Sequence, residues 1–279
     1  MFRYTKKSLV LEIVVIIATL IALLPFYLLI VTSLKNGDEI LTTPAIAPPA
    51  TPTLSNFAAL LDPSNPSGNI IAGLLTSILI TAATIGVLIG LGSTCAYVLA
   101  RRTARWSTIA YYLFMIAIVL PTQLGVLPLY VGAQRLGLVG NPGGMILIYS
   151  GTLMPLAVFL YSGFFRRLPR DYEEAATIDG ASRTQIFFRV ILPLMSPATG
   201  TVAILGGLIV WNDFFTALIF LNGSAWQTLP VTMYNFVGSL VSQWNLIFAL
   251  VLLSMIPILA FYVFAQKQFI QGYGGGLKA

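Results

Sequence analysis

Residues 171–193 read DYEEAATIDGASRTQIFFRVILP, a polar and charged stretch between two apolar segments that are each long enough to cross a bilayer. Its first half predicts a short helix, because Asp171 and Glu174 stand three residues apart, as in a capping box. We expect Gly180 to end or bend that helix. Ser182 then opens a Ser-x-x-Gln capping pattern before a second helical run. The stretch therefore predicts two small helices joined at a glycine.

The composition around this stretch is that of an integral membrane protein. Of the 279 residues, 57% are hydrophobic and 9% are charged, which excludes an ordinary soluble globule. Apolar runs of about 20 residues predict six spans without the alternating pattern of barrel strands. The runs cover 9–33, 70–99, 107–131, 143–165, 197–221 and 245–266. The predicted fold class is all-α, a polytopic membrane protein with six transmembrane helices.

The basic residues predict the orientation of these spans. With a cytoplasmic N-terminus, only Lys35 and Arg135 of the 15 basic residues fall on the external side. The positive-inside rule therefore places both termini and segment 166–196 in the cytoplasm. The first apolar run resembles a signal peptide, but it is too long and no cleavage site follows it, so it is interpreted as a retained anchor. The net charge of +6 follows from this topology rather than from nucleic-acid binding.

The chain divides into three predicted regions. Residues 1–69 form the first helix and an external proline-rich loop, which is irregular except for one amphipathic turn at 54–61. Residues 70–266 form the membrane core, which includes the cytoplasmic loop 166–196. Residues 267–279 form a cytoplasmic tail rich in glycine.

The residue content excludes several kinds of chemistry. The chain has no histidine, a single cysteine (Cys95) and no cluster of carboxylates within the spans, so neither a metal site nor a histidine proton relay is predicted. No Gly-x-x-x-x-Gly-Lys-Ser/Thr loop is present to bind ATP phosphates. We therefore expect no catalysis and no cofactor in this chain, and energy supplied by a partner.

Asp213 is the one acidic residue well inside a predicted span, in the sequence Trp211-Asn212-Asp213-Phe214. A carboxylate at that depth marks a cavity or a protein interface by default. The alternative is that Asp213 lies near the external interface, with Trp211 in the aromatic belt. In the first case Trp211 offers a stacking face, while Asn212 and Asp213 offer hydrogen-bond acceptors. These three residues are the candidates for a pathway of polyhydroxylated substrates.

The 171–193 stretch resembles the EAA loop of ATP-binding-cassette (ABC) importer permeases. The resemblance rests on the order Glu174, Ala175, Ala176, Gly180 and Val190-Ile191-Leu192-Pro193, where the family usually has isoleucine at the Val190 position. Weaker matches occur in the order of the carbohydrate-uptake, maltose-type branch. They are Ser33-Leu34-Lys35, Thr53-Leu54-Ser55-Asn56-Phe57, Leu136-Gly137-Leu138, Leu168 to Ala176, Trp211-Asn212-Asp213-Phe214 and Gln268-Phe269-Ile270-Gln271-Gly272.

The resemblance implies the type I ABC importer (MetI-like) permease fold. It also implies the function of a permease subunit that moves a sugar or oligosaccharide across the cytoplasmic (inner) membrane by alternating access. ATP is then bound by a separate dimer of ATPase subunits. The other implied partners are a second permease in a heterodimer, an extracytoplasmic solute-binding protein, the sugar substrate and membrane lipid, with no nucleic acid.

In that family the EAA loop is a cytoplasmic coupling helix that docks into a groove on the ATPase. The resemblance therefore assigns ATPase coupling to seven residues: Glu174, Ala175, Ala176, Ile178, Gly180, Phe187 and Pro193. By the same resemblance Glu174 bonds to the groove, while Ile178 and Phe187 supply apolar contacts.

Other functions stay open from the sequence. The nearest is a permease of the same architecture for glycerol-phosphate-type or other polar solutes. An ion-coupled secondary carrier is a further alternative, and it would need intramembrane ionisable groups for which Asp213 alone is thin support. A membrane scaffold or receptor subunit without a transported ligand is the third.

Overall fold

The computed structural model describes residues 6–62, 64, 69–239 and 243–274. The parts of the proline-rich loop and of the glycine-rich tail that fall at 63, 65–68 and 275–279 lie outside the described residues. The described helices, numbered in chain order, are α1 (Lys6–Ser33), α2 (Gly37–Thr42), α3 (Ser55–Leu61), α4 (Ile70–Arg101), α5 (Arg105–Val119), α6 (Thr122–Arg135), α7 (Pro142–Arg167), α8 (Asp171–Ile178), α9 (Arg183–Leu194), α10 (Ser196–Asn212), α11 (Phe215–Leu221), α12 (Leu229–Ser239) and α13 (Trp244–Gly274).

Within the described residues, three of the predicted spans meet the length and hydropathy expected of a membrane-crossing helix. Helices α1, α4 and α7 are each long and apolar enough to cross a membrane. The described side chains of α1 are exposed along most of its length, whereas α7 is the most buried of the three. Since an exposed apolar helix needs an apolar environment, α1 has the surface expected of a helix against lipid or a partner subunit. The predicted all-α membrane fold is confirmed.

The span predicted over 107–131 is strongly bent rather than one continuous helix. Helices α5 and α6 meet at an angle of 94° on either side of Leu120 and Pro121. Leu120 is extended, with φ −70° and ψ 126°, as residues before proline usually are. Pro121 also lacks the N–H that a continuing helix requires, so the span is broken at this point.

The span predicted over 197–221 consists of two helices. Helix α10 ends at Asn212, Asp213 is extended (φ −73°, ψ 118°), and α11 begins at Phe215. Helix α10 also meets α9 at an angle of 73°. The last predicted span, 245–266, corresponds to α13. This helix continues to Gly274, past residue 267, where the tail was predicted to begin.

The chain forms two compact units, the first of which comprises Met1–Ile71 and Thr232–Ile256. A buried polar cluster centred on Asn56 holds it together. The Asn56 amide donates to the carbonyls of Ser33 (2.7 Å) and Lys35 (2.9 Å), and it accepts a hydrogen bond from the Asn245 amide (2.7 Å). The amide nitrogen of Thr53 donates to the carbonyl of Leu34 at 3.0 Å. The cluster satisfies carbonyls that the end of α1 leaves without helical partners.

The proline-rich loop is more ordered than predicted. The helical turn expected at 54–61 is confirmed as α3, but α2 was not expected. The ammonium of Lys35, whose side chain is 1% exposed, donates to Thr43 Oγ1 (3.0 Å) and to the carbonyl of Pro44 (2.9 Å). Buried polar atoms need such partners, so these bonds order the chain around α2.

The second unit comprises Ala72–Val231 and Pro257–Ala279. Its apolar core surrounds α7, against which α4, α5 and α10 pack. Tyr161 of α7 is fully buried, and its hydroxyl lies 3.0 Å from Thr199 Oγ1 of α10. The core continues outside the spans, because Ala176, Ile186 and Phe187 of the 171–193 stretch belong to the same cluster as Tyr161. The polar stretch is thus packed onto the helical body through its apolar side chains.

Candidate functional site

The 171–193 stretch, here termed the coupling loop after the role that the resemblance implies, forms the two predicted helices around Gly180. The first capping box is wrong: α8 begins at Asp171 and has no side-chain cap. The second is confirmed, since the Ser182 backbone N–H donates to Gln185 Oε1 (2.8 Å) and the Gln185 N–H donates to Ser182 Oγ (3.4 Å). Asp171 and its neighbouring glutamates still favour the N-terminus of α8 through the helix dipole.

Gly180 ends α8 in a left-handed conformation, with φ +77°. Its N–H donates to the carbonyl of Thr177, and the N–H of Ala181 donates to the carbonyl of Ala176, both at 3.0 Å. This pair of bonds is a Schellman motif, which uses glycine because other L residues adopt a positive φ at a cost. The predicted glycine joint between the two helices is confirmed.

The inner face of the coupling loop is apolar and buried. Phe187 is only 5% exposed, and its ring lies 5.1 Å from that of Tyr97, which in turn lies 5.5 Å from that of Phe165. Ala176 lies in the same cluster. Of the seven residues assigned to ATPase coupling, Ala176 and Phe187 therefore contact the core of this chain and are not on its surface.

The outer face of the coupling loop carries the other five of those residues. Glu174, Ala175, Gly180 and Pro193 are exposed, and the side chain of Ile178 is 86% exposed. Phe188, which the sequence analysis did not select, is 54% exposed beside the buried Phe187. The exposed residues of the loop also include Asp171, Asp179, Arg183 and Arg189. The surface thus combines two large apolar side chains with surrounding charges of both signs, and exposed apolar groups rimmed by polar residues are typical of a contact surface.

A polar cavity of about 200 Å³ lies in the second unit, where both broken spans change direction. Residues at the α5–α6 bend and at the α10–α11 break line this cavity. Its polar lining residues are Thr122, Gln123, Tyr149, Thr152, Asp213 and Thr216. Broken membrane helices expose unpaired backbone groups, and such breaks are tolerated where they line a cavity or are buried in protein.

Asp213 is the acidic group of this polar cavity. The hydroxyl of Tyr149 donates to Asp213 Oδ2 at 2.7 Å, and the N–H of Thr216 donates to Oδ1 at 3.5 Å. The first bond joins α7 to the α10–α11 break, and the second, longer bond lies at the start of α11, whose N-cap residue is Phe214. Asp213 therefore lines a cavity, while its depth in the membrane and its place on a substrate pathway stay predictions.

The other two pathway candidates lie elsewhere. Trp211 lines a different, apolar cavity of about 340 Å³ with Ile78 and Pro257. Asn212 is exposed, and its amide donates to the carbonyl of Leu208 within α10.

Sequence reasoning missed the partners of Asp213. Pro121 signalled a break directly before Thr122 and Gln123, and Tyr149 and Thr152 are polar residues three apart within an apolar span. Taken together, the proline and the two polar residues would have predicted a polar cavity at this place.

The family model described as "Binding-protein-dependent transport system inner membrane component" matches residues 86–273. The chain belongs to this family. The match covers the coupling loop, the polar cavity and most of α13. The permease is therefore an inner membrane component of a transport system, and the resemblance drawn from the EAA loop is confirmed.

Two curated relatives are similar over most of their length. The permease is 33% identical over 273 residues to the melibiose/raffinose/stachyose import permease protein MelC of Bacillus subtilis (strain 168), which covers 98% of this chain and 97% of MelC. It is 30% identical over 256 residues to the diacetylchitobiose uptake system permease protein NgcG of Streptomyces coelicolor, covering 91% and 83% of the two chains.

A solved structure shows the same fold. The permease superposes with a TM-score of 0.81 on a chain of a solved structure. That structure is the crystal structure of a bacterial ABC transporter involved in the import of the acidic polysaccharide alginate. The match covers 96% of this permease and 100% of that chain, at 21% identity. The predicted ABC permease fold is confirmed by this likeness.

Proposed function

We propose that this permease imports a sugar or oligosaccharide across the cytoplasmic membrane, driven by ATP hydrolysis on a separate dimer of ATPase subunits. The observation that carries the proposal is the outer face of the coupling loop. It presents Glu174, Ala175 and Ile178 to solvent on a short helix fixed to the core of the permease. An exposed side chain as apolar as Ile178 at the tip of a rigid loop fits a groove on a partner.

The mechanism is a shift between inward-facing and outward-facing states. ATP closes the ATPase dimer and moves the docked coupling loop. Helices α7 and α10 adjoin the loop along the chain, so they tilt with it. In the proposed topology both termini and the loop are cytoplasmic. The chain itself supplies no ATPase site, so it works as a transport subunit.

The substrate class rests on the relatives and on the polar cavity. MelC and NgcG are named for oligosaccharide import and uptake. In the permease, Asp213 and Gln123 offer groups that bind hydroxyls. A cavity of about 200 Å³ is smaller than the roughly 300–1,000 Å³ of whole ligand sites, so this cavity holds at most part of a substrate. We therefore infer a site completed by a second, different permease, to which a solute-binding protein delivers the sugar.

The test is uptake into vesicles that contain the permease with its ATPase, second permease and binding protein. Labelled mono- and oligosaccharides are offered with and without ATP. The expected result is ATP-dependent accumulation of one sugar. Accumulation of a glycerol-phosphate-type solute instead would change the substrate class, while uptake driven by an ion gradient without the ATPase would overturn the proposal.

A matched pair of variants tests the coupling loop. Ile178→Asp should weaken binding of the ATPase by about tenfold or more, because burying an isoleucine contributes about 1.5–3 kcal/mol. Leu136→Asp introduces the same charge at a side chain that is 75% exposed outside the loop. It should leave co-purification of the ATPase unchanged. If Ile178→Asp retains both ATPase binding and uptake, docking through this surface is ruled out.

A further inference from the structure

An ion pair joins the end of α4 to the coupling loop. Arg101, the last residue of α4, donates from Nε to Glu173 Oε1 at 2.6 Å and from Nη2 to the carbonyl of Leu168 at 3.0 Å. The two charged side chains are 13% and 20% exposed. A guanidinium that is largely shielded and bonded to two groups is held in one orientation.

Further contacts surround this pair. Arg170 Nη2 lies 3.4 Å from the carbonyl of Arg101, so the chain entering α8 bonds back to α4. One helical turn before Arg101, Tyr97 lies close enough to Glu173 for the two groups to interact, and its ring contacts Phe187. Helix α4 therefore contacts both helices of the coupling loop, by charge at α8 and by apolar packing at α9.

The two adjacent glutamates of the loop point in different directions. Glu173 faces Arg101, while Glu174 is exposed on the outer face. Neighbouring residues in an α-helix are about 100° apart, so one cannot replace the other. The carboxylate of Glu174, the glutamate of the EAA sequence, is thus accessible to a partner, whereas the carboxylate of Glu173 is bonded to Arg101 within the chain.

Chain connectivity gives this contact its importance. Helices α7 and α10 are joined to the coupling loop by short backbone segments and must follow its movement. Helix α4 is not, because 72 residues separate Arg101 from Glu173. A displacement of the loop reaches α4 indirectly, through the packing of α4 against α7, and directly through the contacts at Arg101, of which the ion pair is the most directional.

We propose that Arg101 and Glu173 are positioning residues that transmit movement of the coupling loop to α4. The proposal rests on the proposed function, since it requires an ATPase that moves the loop. When the pair is intact, α4 tilts together with α7 and α10. Without it the loop still docks and the ATPase still turns over, but α4 lags and less sugar crosses for each ATP hydrolysed.

The experiment measures ATP hydrolysis and sugar uptake by the assembled complex in proteoliposomes. Arg101→Glu and Glu173→Arg should each lower the sugar transported per ATP by about fivefold or more, within the usual range of coupling between sites. The double variant Arg101→Glu/Glu173→Arg restores opposite charges and should recover at least half of the loss. Arg102→Glu, the same charge change at the exposed neighbouring residue, is the control and should leave the ratio unchanged.

The outcomes separate this proposal from the proposed function. If the unaltered complex shows no ATP-dependent uptake, the proposed function itself fails. If it transports and the single variants keep their ratio, or the double variant is no better than the singles, the link through Arg101 is overturned. Should a charge reversal prevent assembly, Arg101→Gln and Glu173→Gln remove the charges while keeping polar groups of similar size. A ratio unchanged in both of these variants overturns the link as well.

Discussion

Asp213 lies where a predicted span is interrupted, and its hydrogen bonds stabilise the chain there. Its carboxylate accepts a hydrogen bond from the hydroxyl of Tyr149 at 2.7 Å and a longer one from the N–H of Thr216 at 3.5 Å, so it stabilises the break at which it lies. A charge in a membrane span is costly unless it is paired or hydrogen-bonded. The two bonds lower that cost and leave the carboxylate at the edge of the polar cavity.

We expect Tyr149→Phe and Asp213→Ala to destabilise the permease through the same bond. Hydrogen bonds to charged groups contribute about 1.5–3 kcal/mol. The double variant should therefore be about as stable as the less stable single variant, because the second substitution removes nothing further. The measurement is thermal unfolding of the purified complex with the unaltered permease and with each of the three variants. The comparison gives the interaction energy between Tyr149 and Asp213.

The control is Tyr112→Phe, which removes a hydroxyl from an exposed tyrosine. Its midpoint of unfolding should match that of the unaltered protein. Strictly additive losses in the double variant would show that Tyr149 and Asp213 act independently, in conflict with the 2.7 Å contact.

At the scale of elements, the start of α7 depends on a close approach of two backbone segments. Asn141 Oδ1 accepts a hydrogen bond from the Gly144 N–H at 2.8 Å, with Pro142 in the first turn. A Cβ built on Gly144 would lie 1.8 Å from the carbonyl oxygen of Leu138. Because that neighbour is backbone, it cannot rotate away as a side chain would.

Gly144→Ala should therefore shift the backbone and destabilise the permease by about 1–3 kcal/mol, the cost of overpacking a tight site. Gly151→Ala is the matched control, since it lies in the same helix with nothing within 4 Å of the added atom. It should be neutral or slightly stabilising, because alanine favours helix. Unfolding midpoints that are equal in the two variants would contradict the close approach.

The elements differ in how far the sequence predicts them. Hydropathy located α1, α4 and α7 because a span needs only length and apolar composition. It could not register the break at Asp213, where no proline or glycine interrupts the apolar run. Proline alone was not diagnostic either, since Pro155 lies within the unbroken α7 whereas Pro121 accompanies a 94° bend.

The coupling loop shows the same limit at finer detail. The EAA pattern predicted its two helices and Gly180 joint, but not which side chains face inward. Phe187 and Phe188 are adjacent and chemically identical, and only the first is buried. Burial depends on Tyr97 and Phe165, which are distant in the sequence, so a single chain without its fold cannot distinguish the two.

At the scale of the whole molecule, the proposed topology can be tested by accessibility. In a Cys95→Ser background, Thr184→Cys places one thiol on the coupling loop and Leu136→Cys places one before α7. Only α7 separates these positions as a span, so they should lie on opposite sides of the membrane. A membrane-impermeant maleimide should label residue 136 in right-side-out vesicles and residue 184 in inside-out vesicles.

The positive-inside rule is the physical reason for this expectation, since Arg166, Arg167 and Arg170 adjoin the coupling loop. Labelling of both thiols from one side would exclude α7 as a span. Labelling from the opposite sides to those expected would invert the proposed topology, and would place the coupling loop where no cytoplasmic ATPase could reach it.

The exposed isoleucine of the coupling loop has a consequence for biogenesis. In the proposed topology, a newly inserted permease that has not yet bound an ATPase presents Ile178 and Phe188 to the cytoplasm. Chaperones and membrane proteases act on proteins that expose apolar side chains of this kind, so we expect an unassembled subunit to be degraded. Degradation of unassembled subunits would then maintain the stoichiometry of the transporter, because binding of the ATPase covers these side chains in each assembled permease.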